Sequence, residues 1–228
     1  MLFRSEYFDI WKNERLFLTD IAEMLDNVLQ YFIDNAPDPI ARARFSASQE
    51  RSIGVGALGF HAYLQRSGIP FEGVMAKVAN NRIFKHIREG LNEANLQLGS
   101  ERGEAPDAVG TGFRFSHVMS VAPNASSSII MGNTSPSIEP YRANAYRQDT
   151  LSGAYLNKNR FLDALLKEKV KEEEKLSDIW RSIIANDGSV SQVDELTDEE
   201  KDVFKTAMEL DQRWVVQHAA DQIGRAHV

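Results

Sequence analysis

Cysteine is absent from all 228 residues. That excludes disulfides, thiolate metal sites and thiol chemistry within this chain. Long apolar runs are missing as well, and none approaches the ~20 residues that a membrane-spanning helix requires. The opening Met1 to Arg4 passes directly into SEYFDIWKNER, with no apolar core of a signal peptide, so the expected compartment is the cytoplasm. Positive charge is in deficit: 26 Lys and Arg against 33 Asp and Glu leave a net charge of −7. Such a balance disfavours extended binding to nucleic acid or to an anionic membrane. An anionic ligand would have to be held by a local trap. No serine stands in a G-x-S-x-G elbow, which argues against a hydrolase of that kind.

What is present reads as one continuous unit without repeats or linkers. A hydrophobic content of 43% suffices for one core, or for part of a larger one. LFLTDIAEMLDNVLQYFIDNAPDP predicts an amphipathic helix with Ile21, Leu25, Val28, Leu29 and Phe32 on one face, stopped by Pro37 and Pro39. RSIGVGALGFHAYLQRSG predicts a glycine-rich turn and a short helix ending near Gly68. A longer helix follows, with Ile83, Ile87, Leu91, Ala94 and Leu98 spaced for burial, and ERGEAPDAVGTG is a loop. HVMSVAP is the best strand candidate, ended by Pro123. A helix is expected from about Ser126 to Met131, then an irregular or hairpin stretch in RANAYRQDTLSGAYL. The C-terminal third is helical: FLDALLKEKVKEEEKL carries a solvated charge run. LTDEEKDVFKTAMELDQRWVVQHAAD opens on a capping box, Thr197 with Glu200, and turns Val203, Ala207, Leu210, Trp214 and His218 to one side.

Gly54, Gly56 and Gly59 spell G-x-G-x-x-G, but a dinucleotide fingerprint needs a buried strand before it. SASQERSI is polar and charged, so a tight turn with close backbone approach is the simpler reading. His61, His86, His117, His218 and His227 show no metal-ligand spacing. The hydroxyl cluster in SVAPNASSSIIMGNTSPSIEP is different. A strand that ends and starts a helix with N-A-S-S-S presents free backbone N–H groups and the positive end of a helix dipole, a ready anion site. By spacing alone, an equally good reading is that Asn124 or Ser126 simply caps the helix.

APNASSSIIMGNTSPSIEP followed by NAYRQDTLSGAYLNKNRFL resembles the large catalytic subunit of class I ribonucleotide reductase, in its phage-type flavour. RSIGVGALGFHAYLQ and GTGFRFSHVMSVAP resemble further segments of that family, in the same order. The resemblance covers roughly Ser5 to Asp221. It implies an α/β fold: a helix-rich, incomplete portion of a ten-stranded α/β barrel over residues 5–221. It also implies that Asn124, Ala125, Ser126 and Ser127, with Ser128 as a weaker member, hold the diphosphate of a ribonucleoside diphosphate substrate. Ala125 can contribute only its N–H, and Pro123 supports the loop. One departure is Phe115, where the family usually has Asn or His, which puts a polar contact of that strand in question.

The family's radical cysteine, redox cysteine pair and C-terminal tyrosine pair have no counterpart here, since no tyrosine follows Tyr155. The expectation is therefore an internal fragment with no catalytic residue and no metal or cofactor of its own. The parent oxidoreductase would take a radical from a metal-containing small subunit, use thiol reductants, respond to nucleoside triphosphate effectors and form a homodimer. Residues 222–228 are expected to be a non-native tail, because IGRAHV back-translates to a common adapter sequence. Two rivals remain: a stand-alone phosphate-binding α/β module without catalysis, and a helical interaction protein whose serine loop is only a cap.

Overall fold

A computed structural model of the chain describes residues 2–14, 16–150 and 153–223. Strand β1 (Leu2–Arg4) pairs in parallel with β2 (Gly56–Leu58), Leu2 opposite Gly56 and Arg4 opposite Leu58. Between them run α1 (Phe8–Trp11), α2 (Phe17–Asn35) and α3 (Ala41–Glu50). Then come α4 (Phe60–Arg66), the 29-residue α5 (Val74–Arg102), a long loop and the short α6 (Ala125–Ile130). An antiparallel hairpin, β3 (Ala145–Thr150) with β4 (Gly153–Lys158), precedes α7 (Arg160–Lys169), α8 (Glu173–Ala185), α9 (Asp198–Val203) and α10 (Gln212–Ile223).

Helix α5 forms the spine. Ile83, Ile87, Leu91, Ala94 and Leu98 recur at helical spacing and are all buried in a first core with Phe8, Leu18, Ile21, Phe60, Phe71 and Phe115. A second core gathers Leu162, Leu166, Ile179, Trp180, Ile183, Val190 and Val203. The charges of Lys171 to Lys175 stay in solvent, as expected. A buried polar joint links the two cores. Asn144 Nδ2 donates to the carbonyls of Gly188 (3.0 Å) and Phe204 (2.7 Å), and Asn159 Nδ2 donates to Asn144 Oδ1 (2.9 Å) and Gln65 Oε1 (2.8 Å). Asn159 also caps α7 with its Oδ1. His61, fully buried, accepts from Tyr141 N–H at Nδ1 (2.9 Å) and bonds the Val203 carbonyl. Burial holds its pKa down at about 3, so the ring is neutral.

Three sequence expectations are corrected. HVMSVAP forms only one bridge residue, Met119 opposite Val55, although Ile53, Val55 and Ser120 donate across the seam to His117, Val118 and Val55 carbonyls at 3.0 Å. The partner run ends at Pro123, which has no N–H to extend a ladder. On α2, Val28 is exposed (60%), while Leu18, Ile21, Ala22 and Asp26 are buried. The inward face centres on Leu18 and Leu25, and Val28 lies at its flank with exposed Met24 and Tyr31. The single C-terminal helix is two helices, broken between Val203 and Gln212. No proline or glycine breaks it. Ala207 N–H instead donates to the Tyr141 carbonyl (2.8 Å) and Asp211 N–H to Glu72 Oε1 (2.7 Å), bonds that a continuous helix could not make. The Thr197–Glu200 capping box is present at the start of α9.

Asp26 ties the first core's outer layer together. Its carboxylate, 1% exposed, receives Arg51 Nη2 (2.6 Å), Arg102 Nη1 (2.9 Å) and Arg114 Nε (3.1 Å). Burial pushes its pKa up, but the three guanidinium hydrogen bonds outweigh that and hold it below the usual carboxylate range. Asp26→Asn should therefore lower unfolding free energy by about 3–5 kcal/mol, because three cations lose their buried partner; urea titration measures this. Asp26's contribution is complete above its unfolded value of 3.8 and disappears as pH falls through the lower folded value. His61 acts higher on the pH scale. Between pH 6.5 and about 3 the unfolded chain binds a proton that the folded His61 refuses, so stability falls with pH across that window. In His61→Gln the stability–pH slope should flatten by up to about 1.4 kcal/mol per pH unit, with the remaining slope carried partly by His218, also lowered by burial.

Candidate functional site

Two of the three glycines of G-x-G-x-x-G, Gly54 and Gly59, serve close approach, and Gly56 opens strand β2. A Cβ on Gly54 would sit 2.8 Å from Ser120 Oγ, and one on Gly59 2.6 Å from Thr134 Oγ1. Gly59, with φ of 81°, precedes α4 in a left-handed conformation. The helix start it opens is already filled: Gly59 N–H and Phe60 N–H donate to the Ser135 and Ser137 carbonyls (2.7 and 3.4 Å), and Ala62 N–H to Ser135 Oγ (3.1 Å). No phosphate could use those donors. Close approach, and at Gly59 a tight turn, accounts for Gly54 and Gly59.

The start of α6 is the reverse. Asn124 occupies the position before its first turn, yet its side chain makes no capping hydrogen bond. Ser126 lies inside the helix, so neither residue caps it. The backbone N–H groups of Ala125, Ser126 and Ser127 have no acceptor among the described residues. Ala125 and Ser126 are exposed and Ser127 is half-buried. Asn124 is 6% exposed, and its Nδ2 also lacks an acceptor among the described residues. Four donors thus stand unfilled on four consecutive residues. Ser128 differs: it is buried, its hydroxyl donates to the Ala125 carbonyl (2.7 Å) and its N–H to Asn124 O (2.8 Å), so its donors serve the turn. Pro123 is exposed just before the loop. Arg4, paired with Glu6, lies beside Gly132 at the C-terminal end of α6.

The other sequence candidates do not assemble into a site. His86 packs against Phe8 and Trp11, His117 meets Ser52 and Ser116, and His218 is buried against the Phe71 carbonyl. His227 lies outside the described residues. Among the described residues no three His, Asp or Glu side chains cluster to hold a metal. A cavity of about 440 Å3 opens between α4, α7 and α9, lined by Gln65, Phe161, Leu165 and Val203, with no residue of the 123–128 loop. Phe115 is fully buried in the first core, and the polar contact at this position comes from Asn95, whose amide brackets the Phe115 N–H (2.8 Å) and carbonyl (3.1 Å). Sequence reasoning overlooked Asn133 and Ser135. The Gly132-Asn133 pair after a short helix is a left-handed exit signal that could have flagged the first.

The family description "Ribonucleotide reductase, barrel domain" matches residues 11–109 and 107–223, nearly the whole chain. The chain belongs to this family. The chain is 54% identical to the ribonucleoside-diphosphate reductase large subunit of Invertebrate iridescent virus 6 and 53% identical to that of Invertebrate iridescent virus 3. Each alignment covers 95% of this chain, but only 23% and 34% of those relatives. The fold of the Actinobacillus ureae class Id ribonucleotide reductase alpha subunit superposes with a TM-score of 0.87 at 40% identity, over 97% of this chain and 40% of that one. The helix-rich α/β architecture is accordingly a portion of a reductase barrel, and the parallel β1–β2 pair with its bridge to Met119 belongs to it. The family match continues to residue 223, and α10 carries Gln222, whose Nε2 donates to Asn80 Oδ1 (2.7 Å).

Gly59→Ala tests the glycine assignment. A side chain in the left-handed region beside Thr134 should cost about 1–3 kcal/mol of stability, read by urea unfolding.

Proposed function

We propose that the loop Asn124–Ser127 holds the diphosphate of a ribonucleoside diphosphate, and that the parent protein is a ribonucleoside-diphosphate reductase converting it to the deoxyribonucleotide. The observation that carries this reading is the uncapped start of α6: the N–H groups of three exposed or half-buried residues and the Asn124 amide, all without acceptors among the described residues. In an acidic chain, anion binding needs such a local donor set. Hydrogen bonds to a charged oxygen contribute roughly 1.5–3 kcal/mol each, so several can anchor a diphosphate without a lysine. Ser126 and Ser127 add hydroxyl donors with little bulk, Pro123 limits the approach of the chain, and Ser128 shapes the turn.

The chain's own contribution is then positioning. An anchored diphosphate fixes where the sugar lies, and a displacement of about 1 Å at a reacting centre is costly in rate. The radical and thiol chemistry of such a reductase requires cysteines. With none among these 228 residues, no chemical step is assigned to them. The radical would come from a small, metal-containing subunit, and a homodimer, nucleoside triphosphate effectors and a cytoplasmic setting complete the reading. We assign residues 5–221 to the catalytic barrel.

Ser127→Pro removes one loop N–H. In a reductase large subunit built around this segment, nucleoside diphosphate affinity measured by calorimetry should fall at least about tenfold. Ser127→Ala, which keeps the N–H, should lose less. Equal affinities for wild type and Ser127→Pro would refute the loop assignment.

A further inference from the structure

Helix α6 has six residues, too few to hold its own direction. Ala125, Ser126, Ile129, Ile130 and Met131 are exposed, so little packing orients it. What fixes it is its exit. Gly132 and Asn133 both adopt left-handed backbone (φ 83° and 55°), and their N–H groups close the helix on the Ile129 carbonyl (3.1 and 3.3 Å). Every polar group of Asn133 is then occupied from outside the helix or by its last turn. Its Nδ2 donates to Asn157 Oδ1 on β4 (2.7 Å), its Oδ1 accepts from Tyr146 Oη on β3 (3.2 Å), and its carbonyl accepts from Tyr141 Oη (3.3 Å). Asn157 is oriented in turn by Gln148, whose Oε1 accepts from its Nδ2 (2.7 Å). The hairpin is anchored where Ala145 is buried and Lys158 stacks over Trp180 (4.9 Å).

We propose that Asn133 is a positioning residue: by fastening the exit of α6 to the β3–β4 hairpin, it aims the N–H groups of Ala125, Ser126 and Ser127 at the bound diphosphate. This rests on the diphosphate reading of the loop. Asn suits the position because it tolerates left-handed backbone and presents a donor and an acceptor on one short side chain. The hairpin strands bear most of their side chains in solvent, so releasing them from Asn133 leaves both cores intact.

The test uses the intact chain, titrated with ADP and with inorganic pyrophosphate, alongside amide NMR of residues 125–127. Tyr146→Phe and Asn157→Ala alter only the hairpin side of the clamp. Each should weaken binding of both probes about three- to tenfold. Melting temperature should stay at the wild-type value, and the 125–127 amide signals should shift without ligand. Asn133→Gly keeps the backbone conformation and removes the side chain. It should weaken binding as much as both hairpin variants combined, and adding Asn157→Ala to it should cost little more. If Ser127→Pro weakens binding while Tyr146→Phe, Asn157→Ala and Asn133→Gly all bind as wild type, the positioning role is overturned and the diphosphate reading stands. If Ser127→Pro binds ADP and pyrophosphate as wild type does, the diphosphate reading itself fails.

Discussion

Buried N–H groups at a helix start must find acceptors, and in this chain the start of α4 finds them in Ser135 and Ser137. That one constraint seats the 134–137 loop against the first core. It demands glycine at Gly59, because the loop's Thr134 comes too close for any side chain. It also determines where the preceding segment can go. Since 134–137 is pinned inward, α6 lies outside with its own N-terminus unfilled. One helix start is occupied by protein, and the other has no acceptor among the described residues.

The same economy of polar groups joins the two halves. Asn144, Asn159, Gln65 and His61 lie at the junction of the cores, and their bonds run from α4 to the chain before β3, to α7 and to the carbonyls of Gly188, Val203 and Phe204. A fully satisfied buried network specifies one arrangement, since each displaced partner leaves an uncompensated donor or acceptor. Asp26 does the equivalent at the outer layer with three guanidinium groups. Hydrophobic burial makes the two cores, and directional bonds set their mutual orientation.

Much was legible because it is written in local pattern. The α5 core face follows from helical spacing and the capping box from Thr197 and Glu200, while RANAYRQDTLSGAYL, read as irregular or hairpin, is resolved as a hairpin only by its observed pairing. The serine loop was legible as an anion site only to even odds. Asn124 could as well have been a cap, and nothing in N-A-S-S-S says which way its side chain turns. Val28 and the broken C-terminal helix were misjudged for a related reason. Both depend on which neighbour arrives, α5 for the first and Tyr141 with Glu72 for the second.

The amino-acid order by itself determined the elements, the absence of thiol chemistry and the place of the small hydroxyl residues after a short extended segment. These follow from spacing, residue type and backbone preference, which act within a few residues. Tertiary structure alone decided that the α4 start is filled while the α6 start has no acceptor among the described residues, and that Asn133 joins the exit of α6 to a hairpin residue more than twenty positions away in β4. Hydrogen-bond partners of that kind are chosen by packing at long range, where the chain's local pattern carries no record of them.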